Sequence, residues 1–288
     1  MEILFATHAD TDALRDMWKT CFGDSDSYIN AYFENVYRPE NTIIAREGGT
    51  PIGSLQMIPH RMYIEGCARR VVYIGGVCVL PPYRNRGIAS RLMAFSENHM
   101  KANGVDLAFL VPFSFAFYEK LGYRAISFLS EYTGETAALA PFSKHDMVPS
   151  ETATAPTAAY RAYASRFPVF LERDTVRFEK EILPLSERAR LFSLWGDAGY
   201  FLANFGEVCD VLAISYKDEE ALRNLLGCIQ NSSCQRFRIR TAADGALRKI
   251  LCENTITETR YPHAMAKVFS DISLPCSFQN YINMIGWF

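Results

Sequence analysis

The sequence VVYIGGVCVLPPYRNRGIASRLM, which spans Val71–Met93, decides the fold. Its first half is rich in β-branched and aromatic residues and predicts a strand over Arg69–Leu80. Pro81–Pro82 ends that strand, because proline lacks the backbone N–H that pairs with a neighbouring strand. The residues that follow predict a helix over Asn85–Ala102. The segment is therefore a strand, a short basic turn and a helix.

The turn between this strand and this helix has the features of a phosphate-binding site. The first turn of a helix presents unpaired backbone N–H groups and a positive partial charge, and both attract anions. Gly87 allows a ligand to approach the backbone closely, Ala89 is small, and Arg84 and Arg86 add cationic donors. The pattern differs from the P-loop and from the glycine-rich dinucleotide-binding motif. We therefore predict a cradle for a pyrophosphate group.

Residues 1–135 alternate between strand and helix signals around this segment, which predicts a mixed α/β domain. The other predicted helices of this domain are Asp10–Cys21, Ser27–Val36 and Ser114–Leu121, and its other strands are Asn41–Arg46, Ile52–Ile64, Asp106–Val111 and Tyr123–Tyr132.

The composition changes after this domain. Ala, Thr, Ser and Pro dominate residues 136–162, which is typical of a connector. Residues 163–288 predict a second, smaller α/β domain without a phosphate-binding motif. Its predicted helices are Arg173–Ile182 and Glu219–Gln230, and its predicted strands are Tyr200–Phe205, Val208–Tyr216, Phe237–Thr241 and Ala264–Phe269.

Charge and composition exclude several classes of protein. A net charge of -2 over 288 residues gives no reason to expect a nucleic-acid partner or an anionic membrane surface. No apolar run approaches the roughly 20 residues that cross a bilayer. The eight cysteines form no CxxC pair and no zinc-ligand pattern, so we expect no metal. The start MEILFATHAD does not resemble a signal peptide, and we expect a cytoplasmic protein with reduced thiols.

Two motifs resemble one family. Val79–Ala89, VLPPYRNRGIA, is similar to motif A of the GNAT superfamily of acyl-CoA N-acyltransferases, Val-x-Pro-x-x-Arg/Gln-x-x-Gly-x-Gly/Ala. Phe117–Tyr123, FYEKLGY, resembles the FYEKLGF segment of the same superfamily. The two motifs occur in the family's order, with a helix and a strand between them. The resemblance implies a GNAT fold with a mixed, splayed central sheet.

The same resemblance implies how acetyl-CoA binds as co-substrate. Val77, Cys78 and Val79 would lie on the splayed strand, whose backbone pairs with the pantetheine arm. A backbone amide near Val77 would face the thioester carbonyl as an oxyanion donor. The pyrophosphate would be held by the turn and the first turn of the helix: Arg84, Asn85, Arg86, Gly87, Ile88, Ala89 and Ser90.

Tyr118 is the predicted catalytic residue. The resemblance implies that a tyrosine at this position protonates the departing CoA thiolate, and a phenol with a pKa of ~10 holds its proton at neutral pH. The alternative is an aromatic side chain that only packs beside the cofactor. The residues leave the general base open among water relays and the following side chains: Asp24, Asp26, Glu34, His60 and Glu65. Val111 stands where the superfamily often has an asparagine near CoA.

The second half is similar to that of the Eis-type (enhanced intracellular survival) acetyltransferases. Those enzymes have two GNAT-like halves and then a sterol-carrier-like domain, which this sequence lacks. The resemblance rests on four segments: Leu171–Asp174, Gly199–Ala203, Glu219–Ile229 and Met265–Asp271. In Eis-type enzymes the carboxylate of a terminal phenylalanine acts as a base; here Phe288 is the last residue, either in that role or as a solvated terminus.

The combined prediction is an N-acetyltransferase in which a primary amine attacks the acetyl thioester directly in a ternary complex. The alternatives are a non-catalytic acyl-CoA-binding or regulatory module, or an acyltransferase that uses a longer acyl donor. The acceptor would be a small-molecule or peptide amine. The resemblance places its binding region at Thr20–Tyr37, where acidic residues and three aromatic residues, Tyr28, Tyr32 and Phe33, are concentrated. The sequence does not indicate an oligomeric state.

Overall fold

The chain divides into two compact units. The structure, a computed structural model, describes residues 1–142, 150–151, 154–242, 244–252 and 256–274. Unit 1 consists of Met1–Met62, Ala68–Arg124 and Ala264–Leu274. Unit 2 consists of Tyr63–Cys67 and the described residues of Ala125–His263.

Both units combine helices with β-strands. Unit 1 is built on strands β1 (Glu2–Phe5), β2 (Thr42–Glu47), β3 (Thr50–Ile64), β4 (Cys67–Val79) and β5 (Leu107–Leu110) and on helices α1 (Thr11–Phe22), α2 (Asp26–Asn35), α3 (Ile88–Ala102) and α4 (Phe115–Lys120). The later strands are β6 (Arg124–Glu135), β7 (Ser150–Glu151), β8 (Val169–Leu171), β9 (Arg190–Ser193), β10 (Gly199–Asn204), β11 (Val208–Tyr216), β12 (Arg236–Thr241) and β13 (Thr257–Val268). The later helices are α5 (Thr157–Ala164), α6 (Thr175–Arg177), α7 (Leu183–Leu185), α8 (Glu219–Gln230) and α9 (Gly245–Cys252).

The sheet of unit 1 has the order β1-β2-β3-β4-β5-β13. β1 and β3 both pair antiparallel with β2, whereas β4 and β5 are parallel and the end of β13 is antiparallel to β5. Two-residue turns with positive φ at both positions, Gly48–Gly49 and Glu65–Gly66, join β2 to β3 and β3 to β4. Such turns match the natural twist of paired strands. The predicted mixed α/β fold is confirmed.

α3 begins three residues later than the sequence predicts. The predicted start was Asn85, but Asn85 has a φ of 62° and Gly87 a φ of 72°. A residue in the left-handed region cannot belong to a right-handed helix, so the regular hydrogen bonds start only at Ile88. From there Ile88, Leu92 and Met93 are buried in the core of unit 1. The turn is therefore an irregular loop in front of the helix.

Unit 2 has its own sheet and core. Its strands have the order β6-β12-β11-β10-β9-β7. The side chain of Asp218 caps α8 by accepting a hydrogen bond from the backbone N–H of Ala221 at 2.8 Å. The apolar residues of α8 that the sequence predicts as one stripe are all buried: Leu222, Leu225, Leu226 and Ile229. The helix predicted at Arg173–Ile182 is irregular: it begins at Thr175, passes through a π-helical turn over Phe178–Ile182 and continues into α7.

Residues 136–162, predicted as a connector, contain regular structure in their described part. Thr136–Phe142 forms a 3-10 helix, and Leu139 and Phe142 are buried in the core of unit 2. α5 buries Ala159 and Tyr160 in the same core, at a helical spacing that the Ala- and Thr-rich composition conceals. These described residues therefore form part of the core of unit 2.

Within the ranges that the structure describes, no helix combines the length and apolar character that a membrane span requires.

Candidate active site

β4 separates from β5 at the site. Their parallel register covers Val71–Tyr73 against Leu107–Phe109, and β4 then continues to Val79. Between these two parts Gly76 adopts a φ of 58°, and a Cβ there would lie 2.7 Å from the ring of Trp18. Only glycine satisfies both the backbone angle and the contact with the tryptophan. The last residues of β4 therefore form an edge next to α1, as the resemblance to splayed GNAT sheets implies.

The turn before α3 faces open space. Gly87, the residue that precedes the helix, has a left-handed backbone. A Cβ placed on Gly87 would meet no described atom within 4 Å. The glycine is therefore required by its φ angle and not by crowding from the protein. A ligand can approach the exposed backbone of this turn and the amino-terminal end of α3.

A cavity of about 550 Å³ connects the end of β4 with the first turn of α3. Its other walls come from the end of α1 (Cys21 and Phe22) and from Tyr83, Phe113 and Phe117. Nine of the ten residues that the sequence predicts for the cofactor line this cavity: Val77, Cys78, Val79, Arg84, Asn85, Gly87, Ile88, Ala89 and Ser90.

The two arginines of the turn have different surroundings. Arg84 lines the cavity, and its Nε donates a hydrogen bond to the backbone carbonyl of Val79 at 3.0 Å. Arg86, the tenth predicted residue, does not line the cavity. Its Nη2 lies 2.8 Å from Oε1 of Glu47, and its guanidinium lies over the ring of Tyr83. The hydrogen bond from Arg86 lowers the pKa of Glu47.

Tyr118 lies in α4, behind two residues of the cavity wall. Ser114 caps α4 by accepting a hydrogen bond from the backbone N–H of Phe117. The Tyr118 side chain is 2% exposed, and its ring centroid is 5.4 Å from that of Phe113 and 5.0 Å from that of Phe117. Burial raises the pKa of Tyr118, so the phenol holds its proton at neutral pH. Tyr118 packs against the cavity wall but is not part of it.

The side chains considered as general base lie elsewhere. His60 is buried, with its ring against those of Tyr73 and Phe109. Asp24 accepts a hydrogen bond from Trp18 Nε1 at 2.7 Å. The described wall of the cavity contains no carboxylate and no imidazole; the candidates outside it are Asp24, Asp26, Glu34, His60 and Glu65. Phe288 lies outside the described residues.

Two of the three aromatic residues named for the predicted acceptor region are buried in unit 1. Tyr32 is fully buried, and its hydroxyl donates a hydrogen bond to Gln56 Oε1 at 2.7 Å. Phe33 is also buried, whereas Tyr28 is half-buried. Of these three aromatic residues, only Tyr28 is not buried.

The contribution of α1 to the cavity was not predicted from the sequence. Cys21 and Phe22 are at the end of α1, and Phe22 is 44% exposed. The apolar spacing of α1 identifies the helix face that carries Cys21, but it does not identify the part of the structure against which that face packs. The described cysteines are free thiols: Cys21, Cys67, Cys78, Cys209, Cys228 and Cys234. Among the described residues no three His, Cys, Asp or Glu side chains form a group suited to a metal ion.

Comparison with known proteins identifies the family of the first part of the chain. Residues 2–126 match the acetyltransferase (GNAT) domain family. No curated protein matches the sequence.

Solved structures with the same fold cover both units. A probable N-acyltransferase from Enterococcus faecalis V583 is 17% identical, with a TM-score of 0.81 over 93% of this chain and 72% of its own. A GCN5-related N-acetyltransferase from Anabaena variabilis is 16% identical, with a TM-score of 0.79 over 93% and 73%. Eis1 from Mycobacterium abscessus is 15% identical, with a TM-score of 0.72 over 93% and 74%. The expected similarity to Eis is confirmed at the level of the fold, and the expected resemblance to the GNAT superfamily is confirmed for residues 2–126, which match its acetyltransferase domain.

Proposed function

We propose that this protein is an acyl-CoA-dependent N-acyltransferase that moves an acetyl group from acetyl-CoA to a primary amine by direct attack in a ternary complex. The observation that carries this proposal is the single cavity between the end of β4 and the first turn of α3. This cavity brings together nine residues from β4, from the turn and from α3 that the family resemblance relates to CoA binding.

The residues present fit an acyl-CoA. The open space above Gly87 leaves room for a pyrophosphate at the amino-terminal end of α3. Arg84 adds a positive charge on the same side of the cavity. Val77, Cys78 and Val79 would hold the pantetheine arm along the edge of β4, and a bound acetyl-CoA would supply the activated thioester.

Tyr118 would provide the proton that the leaving thiolate requires. Burial keeps its phenol protonated, and Phe113 and Phe117 separate it from the open side of the cavity. A general acid contributes typically 10²–10⁴-fold to a rate. Since the described cavity wall offers no carboxylate or imidazole, we propose that the acceptor amine loses its proton to water before it attacks.

The acceptor would be a small-molecule or peptide amine. We propose that it approaches past Phe22, because this exposed residue at the end of α1 lines the cavity and belongs to the predicted acceptor region. We further expect the protein to work in the cytoplasm, without a nucleic-acid or membrane partner.

Turnover with defined amines tests the proposal. The chain is incubated with acetyl-CoA and, separately, a polyamine, an amino sugar, an aminoglycoside and a lysine peptide; free CoA thiol and acetylated product are both measured. We expect one class to give product in step with CoA release. Acetyl-CoA binding without product from any amine would favour the regulatory module, and product only with longer acyl-CoA would change the donor.

A further inference from the structure

Two cysteines from distant parts of the sequence meet in the wall of the cavity. Cys21 lies in the last turn of α1, and its thiol donates to the backbone carbonyl of Val79 at 3.7 Å. Cys78 lies on β4, with its Sγ 3.3 Å from Ser54 Oγ. Val79, the acceptor of the Cys21 thiol, directly follows Cys78 in β4, and the Cys21 and Cys78 thiols are close enough to change each other's pKa. Both line the cavity that we assign to the cofactor.

The two thiols differ in their surroundings. Cys21 is half-buried and also interacts with the guanidinium of Arg84. The interaction with Cys78, together with the charge of Arg84, lowers the pKa of Cys21 to about 6. The same interaction and burial raise the pKa of Cys78. An accessible thiolate beside a protonated thiol is the arrangement of a nucleophilic and a resolving cysteine.

Unit 2 contains a second pair of neighbouring cysteines that serves as a comparison. Cys209 and Cys234 also interact, since Cys234 affects the pKa of Cys209, but both are buried. Burial raises the pKa of Cys209 to about 12, so it remains a thiol. Contact between two cysteines is therefore not sufficient to produce a thiolate. Cys21 and Cys78 differ from Cys209 and Cys234 because they line the cavity and lie near Arg84.

We propose that Cys21 and Cys78 are a redox-active dithiol, oxidised by a peroxide to a disulfide that closes the cofactor cavity. The disulfide itself depends only on the contact between the two cysteines. Its effect on acyl-CoA rests on the function proposed above.

The chemistry balances with a peroxide as the oxidant. The Cys21 thiolate attacks one oxygen of hydrogen peroxide; the O–O bond breaks, hydroxide leaves, and a sulfenic acid forms on Cys21. Cys78 sulfur then attacks the sulfenic sulfur and loses its proton, and water leaves as the S–S bond forms. The two thiols lose two electrons in total, and the peroxide is reduced to two waters.

The disulfide would narrow the cavity. An S–S bond of about 2.05 Å is much shorter than a contact between two thiols, so the end of α1 has to move towards β4. That movement carries Phe22 with it and distorts Cys78 and Val79, at the edge assigned to the pantetheine. We therefore expect oxidation to weaken acyl-CoA binding.

Two measurements test the two parts of the proposal separately: one detects the disulfide, and the other measures its effect on acetyl-CoA binding. The full chain is treated with hydrogen peroxide, its remaining thiols are blocked under denaturing conditions, and peptide mass spectrometry locates any linked cysteines. Acetyl-CoA affinity is measured by calorimetry before oxidation, after it, and after reduction with dithiothreitol. The same series is run on Cys21→Ser and on Cys67→Ser, a control for an exposed thiol at the other end of β4.

We expect a peptide that links Cys21 to Cys78, while Cys209 and Cys234 stay reduced. Acetyl-CoA affinity should fall at least about tenfold in wild type and in Cys67→Ser, and dithiothreitol should restore it. Cys21→Ser should bind equally before and after peroxide. The absence of the linked peptide, or a linked peptide with unchanged affinity, would overturn the proposal. If reduced wild type does not bind acetyl-CoA, the proposed function fails, while the linked peptide still decides whether the dithiol exists.

Discussion

Arg86 and Glu47 form an ion pair, with Nη2 and Oε1 2.8 Å apart, that holds the Arg86 guanidinium at the end of β2. The motif alone assigns Arg84 and Arg86 the same role. In the structure only Arg84 lines the cavity, so the two arginines divide into a candidate ligand-binding residue and a residue that stabilises the turn.

Arg84→Ala should weaken acetyl-CoA binding more than Arg86→Ala. Removing a charged donor from the cavity should cost roughly 10- to 100-fold in affinity, since a hydrogen bond to a charged group is worth roughly 1.5–3 kcal/mol. Arg86 takes part in an exposed pair, so its removal should change affinity by less than about threefold. Calorimetry on both variants measures this, and a larger loss in Arg86→Ala would contradict the assignment.

Tyr118→Phe should lower kcat by about 10²-fold and leave the Kd for acetyl-CoA unchanged, because only the proton is lost. Tyr123→Phe is the matched control: its ring is 5.9 Å from that of Tyr118, and its buried hydroxyl has no described partner. That control should keep the wild-type kcat. Since burial raises the pKa of Tyr118, kcat should show no decline from loss of this proton below pH 10. Equal kcat values in the two variants would reject Tyr118 as the acid.

Lys267→Met should destabilise unit 1 by about 3 kcal/mol, because it leaves a buried carboxylate without its partner. Lys267 Nζ lies 2.6 Å from Glu97 Oε2 and also donates to the carbonyl of Leu121 at 2.7 Å. Urea unfolding measures the loss, and the double variant with Glu97→Gln should recover part of it. If Lys267→Met were as stable as wild type, the ion pair between Lys267 of β13 and Glu97 would not stabilise unit 1.

His263 should make the protein sensitive to acid. Burial lowers its pKa from 6.5 to about 4, so the unfolded chain binds a proton between these pH values and the folded chain does not. The free energy of unfolding should therefore fall by about 3 kcal/mol as pH drops from 6.5 to 4, and the contribution is fully present above 6.5. His263→Leu should lose less stability over this range. Urea titrations at several pH values measure the free energy of unfolding of wild type and His263→Leu. The same pH dependence in both proteins would contradict the prediction.

The bounds of helices and strands were predicted well where the apolar spacing and the turn residues indicate the same bounds. β11 and α8 have the bounds that the sequence predicts. The start of α3 was wrong because hydrophobic spacing does not register the left-handed backbone at Asn85 and Gly87. α5 was missed because proline and threonine surround a short helix whose only apolar signal is its alanines and tyrosines.

Local sequence patterns did not predict which strands pair when they are far apart in the sequence. The sequence predicts a strand at Ala264–Phe269 but not that it pairs with β5. Nine residues that line the cavity were predicted as cofactor-binding because they lie in or next to a family motif. The contact between Cys21 and Cys78 has no such signal, because it depends on where α1 packs against β4.

Calorimetric titration with acetyl-CoA, comparing wild type, Gly87→Ala and Gly196→Ala, tests the central claim most directly. Both glycines have left-handed backbones, with φ of 72° and 66°, and a Cβ on either meets no described atom within 4 Å. Both substitutions should therefore cost a similar 1–2 kcal/mol of folding stability, roughly. Only Gly87→Ala places a methyl group where the pyrophosphate would lie. We predict micromolar binding by wild type and Gly196→Ala and a loss of at least about tenfold in Gly87→Ala. Absence of binding by wild type, or equal binding by all three proteins, would contradict the account of this cavity as an acyl-CoA site.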